Sequence, residues 1–187
     1  STLDYTKYSD VDTLLILNQN VFSSLSSLTE AKKYIEVAGN VLKNYDPLTH
    51  HKFFIASTID LKYYPQSYLP NELTEYSTLV IGDNSIEYNL RDTWFEHAYT
   101  LWSLAYWIRE TFIKKSYPNN LYSLKQFLSR LMLLPALYLE LYYDQYPYKR
   151  DAFQIARPHF SNQAWQAIET ATELRQIWNP TQMIYVS

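Results

Sequence analysis

Ser9-Asp-Val-Asp-Thr-Leu-Leu-Ile-Leu17 opens on alternating acids and runs into an apolar, partly β-branched segment. Asn18-Gln-Asn20 closes that segment, so the pattern predicts a buried strand over 11–17. Side chains two apart on a strand share a face, which places Asp10 and Asp12 together at the strand's start. Two carboxylates on a rigid strand can hold Mg²⁺ and share it with a nucleoside triphosphate, because Mg²⁺ takes hard oxygen ligands and keeps positions for phosphate. The ion then orients the α-phosphate and offsets its charge. The plainer reading of Asp-x-Asp has Asp10 capping a turn and Asp12 meeting solvent at a strand end.

Outward from this strand, a serine-rich loop over 23–27 leads into a helix. Ser27 and Glu30 have capping-box spacing. Leu28, Ala31, Tyr34, Ile35, Ala38, Val41 and Leu42 recur at helical intervals, until Asp46-Pro47 stops the pattern. A second strand is expected over His50–Ala56, a short helical turn over Thr58–Leu61, and an irregular surface loop over Tyr63–Pro70. Ser77-Thr-Leu-Val-Ile81 is a third strand candidate or the end of a helix. Gly82-Asp-Asn-Ser85 reads as a domain boundary. Beyond it the pattern predicts four helices: about 92–115, capped by Asp92 or Thr93; about 122–143, kinked at Pro135; about 149–156; and about 161–178. The expected class is α+β, a small mixed sheet followed by a helical bundle, with domains at 1–88 and 89–187.

Ser1 through Leu17 resembles the signature of the DNA polymerase β-like nucleotidyltransferase superfamily. That signature is Gly-Ser, a short loop, then two acids alternating with apolar residues on a strand. The stretches Leu124-Lys-Gln-Phe-Leu-Ser-Arg130, Leu134-Pro-Ala-Leu-Tyr138 and Tyr148-Lys-Arg-Asp-Ala-Phe153 look similar to the helical bundles of the minimal and antibiotic-modifying members. The resemblance implies that Asp10 and Asp12 are metal ligands, and that Ser1, with the loop ending at Ser9, holds the triphosphate. It implies a cofactor set of Mg²⁺ and an NTP, ATP first. The helical domain would select a small-molecule or protein acceptor hydroxyl.

The chain departs from that pattern in two places. The motif glycine, and the helix and strand around it, would precede Ser1, so the chain is read as starting partway through a longer sequence. Many members also carry a third carboxylate on a later strand. The matching segment, His50–Ala56, has none; His50 and His51 stand there instead, Asp60 just beyond is a substitute third acid, and either Asp60 or His51 is the candidate base. A loss of activity, leaving a nucleotide sensor or a toxin–antitoxin-type partner on the same fold, is the alternative.

Lys125, Arg130, Lys149 and Arg150 are the cations placed to reach a triphosphate, Lys125 and Lys149 foremost because they interrupt aromatic surroundings. The plainer reading of each is a solvated helix surface. Trp94, Phe95, Trp102, Tyr106 and Trp107, at helical spacing, are expected mostly in the core, with one ring at the cleft. His97 and His159 are read as structural.

Composition narrows the field. With 187 residues, 47% of them hydrophobic, the chain can bury a real core. A net charge of −3, with no dense basic run, argues against long nucleic acid as a partner. Zero cysteines exclude disulfides and thiolate metal sites, and fit a cytoplasmic protein. Only Gly39 and Gly82 are present, which excludes a glycine-rich phosphate loop in this chain. No apolar run reaches the roughly 18–20 residues of a membrane span.

Overall fold

A computed structural model describes residues 9, 11–46, 53–65, 68, 77–82, 89–91, 93–147 and 149–178. The fold is α+β and mostly helical, and it divides into two compact units, Asp10–Arg91 and Asp92–Ser187, with Ser9 grouped with the second. No helix of the described residues is long and apolar enough to cross a membrane.

In the first unit, strand β1 (Leu14–Leu17) and strand β2 (Phe54–Ser57) pair in parallel, Leu14 opposite Phe54 and Leu17 opposite Ser57. Parallel neighbours need a crossover, and helix α1 (Leu25–Tyr45) supplies it. Alternate residues Leu14 and Ile16, with Phe54 and Ala56, cover Leu61 and Tyr64 to make this unit's small core. A second parallel pair, β3 (Tyr64–Pro65) with β4 (Leu90–Arg91), follows a 3-10 turn over Asp60–Tyr63.

The expected strand over 11–17 is shortened to 14–17. The Phe54 amide bonds to the Thr13 carbonyl at 2.9 Å, but ahead of it the Val11 amide donates to the Asp46 carboxylate at 3.2 Å. A side chain from the end of α1 thus occupies the backbone where the ladder would continue. α1 also starts earlier than expected. Ser24, in extended conformation, accepts from the Ser27 amide, so Ser24 caps and Ser27 lies inside. Its end at Tyr45, with Asp46 as cap, is where the Asp-Pro pair puts it.

Ser77–Ile81 forms neither strand nor helix. Val80 and Ile81 are 86% and 90% exposed, and Gly82 turns the chain at φ +118°. β-branched composition alone makes no strand without a neighbour to pair with. Tyr64, expected in a surface loop, is instead buried in the core.

The second unit is a helical bundle: α2 (Trp94–Ile113), α3 (Leu121–Leu131), α4 (Leu134–Tyr143), α5 (Lys149–Ala156) and α6 (Asn162–Gln176). Local signals set most of its ends. Thr93 caps α2, Asn120 and Ser123 form a reciprocal capping box on α3, and Ser161 caps α6. The long kinked helix expected over 122–143 is two helices. Pro135 lacks the amide that would continue the ladder, so the chain turns at Met132 and Leu133, and Pro135 sits in the first turn of a new helix.

α4 is the hub of this unit. Leu137 and Leu141 pack with Ala98 and Leu101 of α2. Leu139 packs with Ala152 and Ala156 of α5 and with Trp165 and Ile168 of α6. A helix apolar on both sides has neighbours on both sides, as its sequence Leu-Pro-Ala-Leu-Tyr-Leu-Glu-Leu requires.

Candidate functional site

The segment carrying Asp12 is held from both sides. Val11 is tied to Asp46, a buried carboxylate, and Thr13 is tied to β2. Asp12, between these anchors, is exposed two residues ahead of β1. Ser9 is half-buried. Asp10, Ser1, His50 and His51 lie outside the described residues. Asp46 was expected only as a helix stop. Its role in fixing the acidic segment spans 35 positions in sequence, and no local pattern announces it.

Asp60 is at the other end of the sheet. Its Oδ2 accepts from the Ser57 amide and the Ser57 hydroxyl, each at 2.7 Å, while its own amide donates to Ser57 Oγ at 3.1 Å. These donors hold the Asp60 carboxyl below the usual carboxylate range, the hydroxyl contributing most. Ser57 pairs with Leu17, the last residue of β1. Asp12 comes five residues before Leu17, a rise of about 16 Å along extended chain. Asp60, expected as the third acid and base beside Asp10 and Asp12, is bonded to Ser57 and braces the turn after β2. Because the pair is parallel, a group on the second strand able to act with Asp12 must precede Phe54, where the sequence places His50 and His51.

Among the expected phosphate partners, Lys125 is 2% exposed on α3 and is engaged within the protein. Lys149 is the first residue of α5. Arg130 lays its guanidinium 3.8 Å from the centre of the Trp107 ring. Partial burial pulls its pKa below the ordinary arginine value, and its buried Nη1 has no hydrogen-bond partner among the described residues. An open groove of about 310 Å³ on α5 and α6 is floored by Phe153, Trp165 and Ile168 and rimmed by Glu169 and Glu173. That acidic rim suits no triphosphate.

A polar network that sequence reasoning took as an isolated histidine sits in the bundle. His97 is buried on α2, with Nδ1 3.6 Å from the Glu140 carboxylate of α4 and Nε2 3.3 Å from the Tyr146 hydroxyl. Tyr146 in turn donates to Asp144 at 3.0 Å. The four residues lock the start of α2 to the end of α4, a structural role for His97. The partners come from positions 97, 140, 144 and 146, so no spacing rule on one helix finds them.

The aromatic residues of α2 reverse the expectation made for them. Trp94, Phe95, Trp102 and Tyr106 are exposed, and only Trp107 is partly covered, against Phe127 and Arg130. Helical periodicity identifies a face without saying whether anything covers it.

Among the described residues, no three His, Asp or Glu side chains gather into a group able to hold a metal. A divalent ion at Asp12 would therefore depend on Asp10, water and phosphate oxygens, a ligand set Mg²⁺ accepts. Comparison with family models, characterised proteins and solved structures finds no match to this chain.

Proposed function

We propose that this chain is a nucleotidyltransferase-type module that moves a nucleoside monophosphate from an NTP, ATP first, to a hydroxyl of a small-molecule or protein acceptor, releasing pyrophosphate and the hydroxyl proton. The observation that carries the reading is the placement of Asp12: an exposed carboxylate between two pinned backbone positions, at one end of a parallel pair, in an α+β unit followed by a helical bundle. A carboxylate fixed by its own backbone loses little entropy on taking a ligand, which is what a metal–triphosphate site requires.

Asp12 and Asp10 are the residues that would hold Mg²⁺, and the ion would supply charge neutralisation at the phosphates. The chain's own part is positional. Asp46 and Thr13 fix the acidic segment, and Ser1 and Ser9 are the residues assigned to the phosphate end of the nucleotide in this reading. Asp60 takes no part.

Calorimetric titration of the full chain with ATP tests this, with and without Mg²⁺, beside the Asp12→Asn variant. Binding should require Mg²⁺ and weaken at least tenfold in the variant, about 1.4 kcal/mol. A chain that binds no nucleotide under either condition refutes the proposal. Binding without release of pyrophosphate across an acceptor panel supports the sensor form of the same fold, which the lack of an acid on the second strand favours.

A further inference from the structure

α2 carries a second apolar face. Phe95, Tyr99, Trp102, Tyr106, Arg109 and Ile113 recur at intervals of four and three, and fall within about 40° of one line along the helix. Leu101, Leu104 and Thr111 lie on the opposite side, turned into the bundle. The five apolar members of the stripe are each between 53% and 64% exposed. The rings are also pre-arranged. Phe95 stacks on Tyr99 at 6.4 Å between centres, and Trp94 braces Trp102 edge-on at 5.7 Å.

We propose that this face is the seam of a homodimer, in which α2 of one copy packs antiparallel on α2 of the second. The pattern is self-complementary about Leu104. Residue numbers summing to 208 come opposite one another, so Phe95 meets Ile113 of the other copy, Trp102 meets Tyr106, and Tyr99 meets Arg109. The only charge in the stripe therefore lands on a tyrosine ring, a cation–π contact, and not on its own copy. A parallel pairing would set Arg109 against Arg109.

The area is adequate. Large aromatic side chains bury about 150–250 Å² each when fully covered. At the exposures given, four such rings and an isoleucine offer roughly 600 Å² per copy, or about 1,200 Å² in all, the lower bound for a stable specific interface. Tyrosine and tryptophan suit such a seam, since their polar tips stay hydrated at its rim.

Sedimentation of the full chain at roughly 10–100 μM should show a dimer, the range that an interface of this size supports. Tyr106→Glu, an exposed position, should return it to monomer and leave the far-ultraviolet circular dichroism unchanged. The chain has no cysteine. Ser103→Cys therefore introduces a unique thiol on the flank of the seam, about 80° from its centre line, and a short bis-maleimide linker, which spans a gap that a direct disulfide cannot, should trap a covalent dimer. A wild-type monomer throughout this range overturns the proposal, as does a dimer that survives Tyr106→Glu. A monomer whose melting temperature falls with Tyr106→Glu would show that the stripe is covered within one chain, and overturns it equally.

Discussion

Replacing Asp60 by Asn separates an acid that braces a turn from the acid proposed to hold a metal. The substitution keeps the shape and removes the charge. In the wild type one carboxylate oxygen accepts from both the amide and the hydroxyl of Ser57, each at 2.7 Å. Charge-assisted bonds of that kind are worth about 1.5–3 kcal/mol where water is excluded. Asp60 is exposed, so solvent screens them and the expected cost is about 1 kcal/mol. The loss should follow pH. The Asp60 pKa is lowered in the fold from an ordinary value of 3.8. Its contribution is therefore complete above that value and disappears as pH falls through the lower, folded-state value. Urea unfolding at pH 7 should show the deficit, and the gap between wild type and variant should narrow below pH 4. Nucleotide binding should not change. The carboxylate is bonded to Ser57 beyond the end of β2, whereas Asp12 precedes the start of the parallel partner β1. A variant of wild-type stability whose Mg²⁺-dependent nucleotide binding collapses would refute this account of the sheet's two ends.

Two further predictions concern the framework. Leu139→Ala should cost about 4 kcal/mol by chemical denaturation, toward the upper end for a buried leucine, because its neighbours Ala152 and Ala156 carry only methyl groups, which cannot swing into the void, and Trp165 is rigid; a loss under 2 kcal/mol would show that the bundle centre relaxes. Tyr68→Phe should speed hydrogen exchange at the Ile55 amide about fivefold, since the Tyr68 hydroxyl accepts from that amide at 2.9 Å and donates to the Ile55 carbonyl at 3.1 Å on the outer edge of β2, bonds worth about 1 kcal/mol; unchanged exchange would mean that the edge is protected by something else.

The helical half was legible wherever its boundaries are written locally. Thr93, Asn120 and Ser161 are caps with short polar side chains, and Pro158 ends α5 as its missing amide requires. The sheet was legible in kind and not in extent. Whether residues 11–13 join β1 depends on Asp46, and whether Ser77–Ile81 pairs depends on a neighbour; neither fact is local. Tyr64 was misplaced for the same reason: two nearby prolines mark a loop, but Leu61 and Phe54 decide that its ring is buried. On α2, the 3.6-residue period was correct, and the inference from period to burial was not, because two opposite faces of that helix are apolar and the bundle covers one of them.

The site shows how strand direction governs which distant residues can cooperate. From sequence, Asp60 follows the second strand closely enough to look like a partner for Asp10 and Asp12. Antiparallel pairing would have brought the end of β2 back to the start of β1. The 21-residue crossover α1 makes the pair parallel instead, so the end of β2 lies beside the end of β1, and Asp60 is carried away from Asp12. The same crossover delivers Asp46, at the end of α1, to the start of β1, where its carboxylate takes the Val11 amide. One long helix thus removes one acid from the neighbourhood of Asp12 and supplies another. The supplied acid is buried and anchors backbone, while Asp12 faces solvent. That division, with Asp46 buried and holding the segment while Asp12 is exposed on it, is an arrangement by which a short strand can keep an acid at a fixed position.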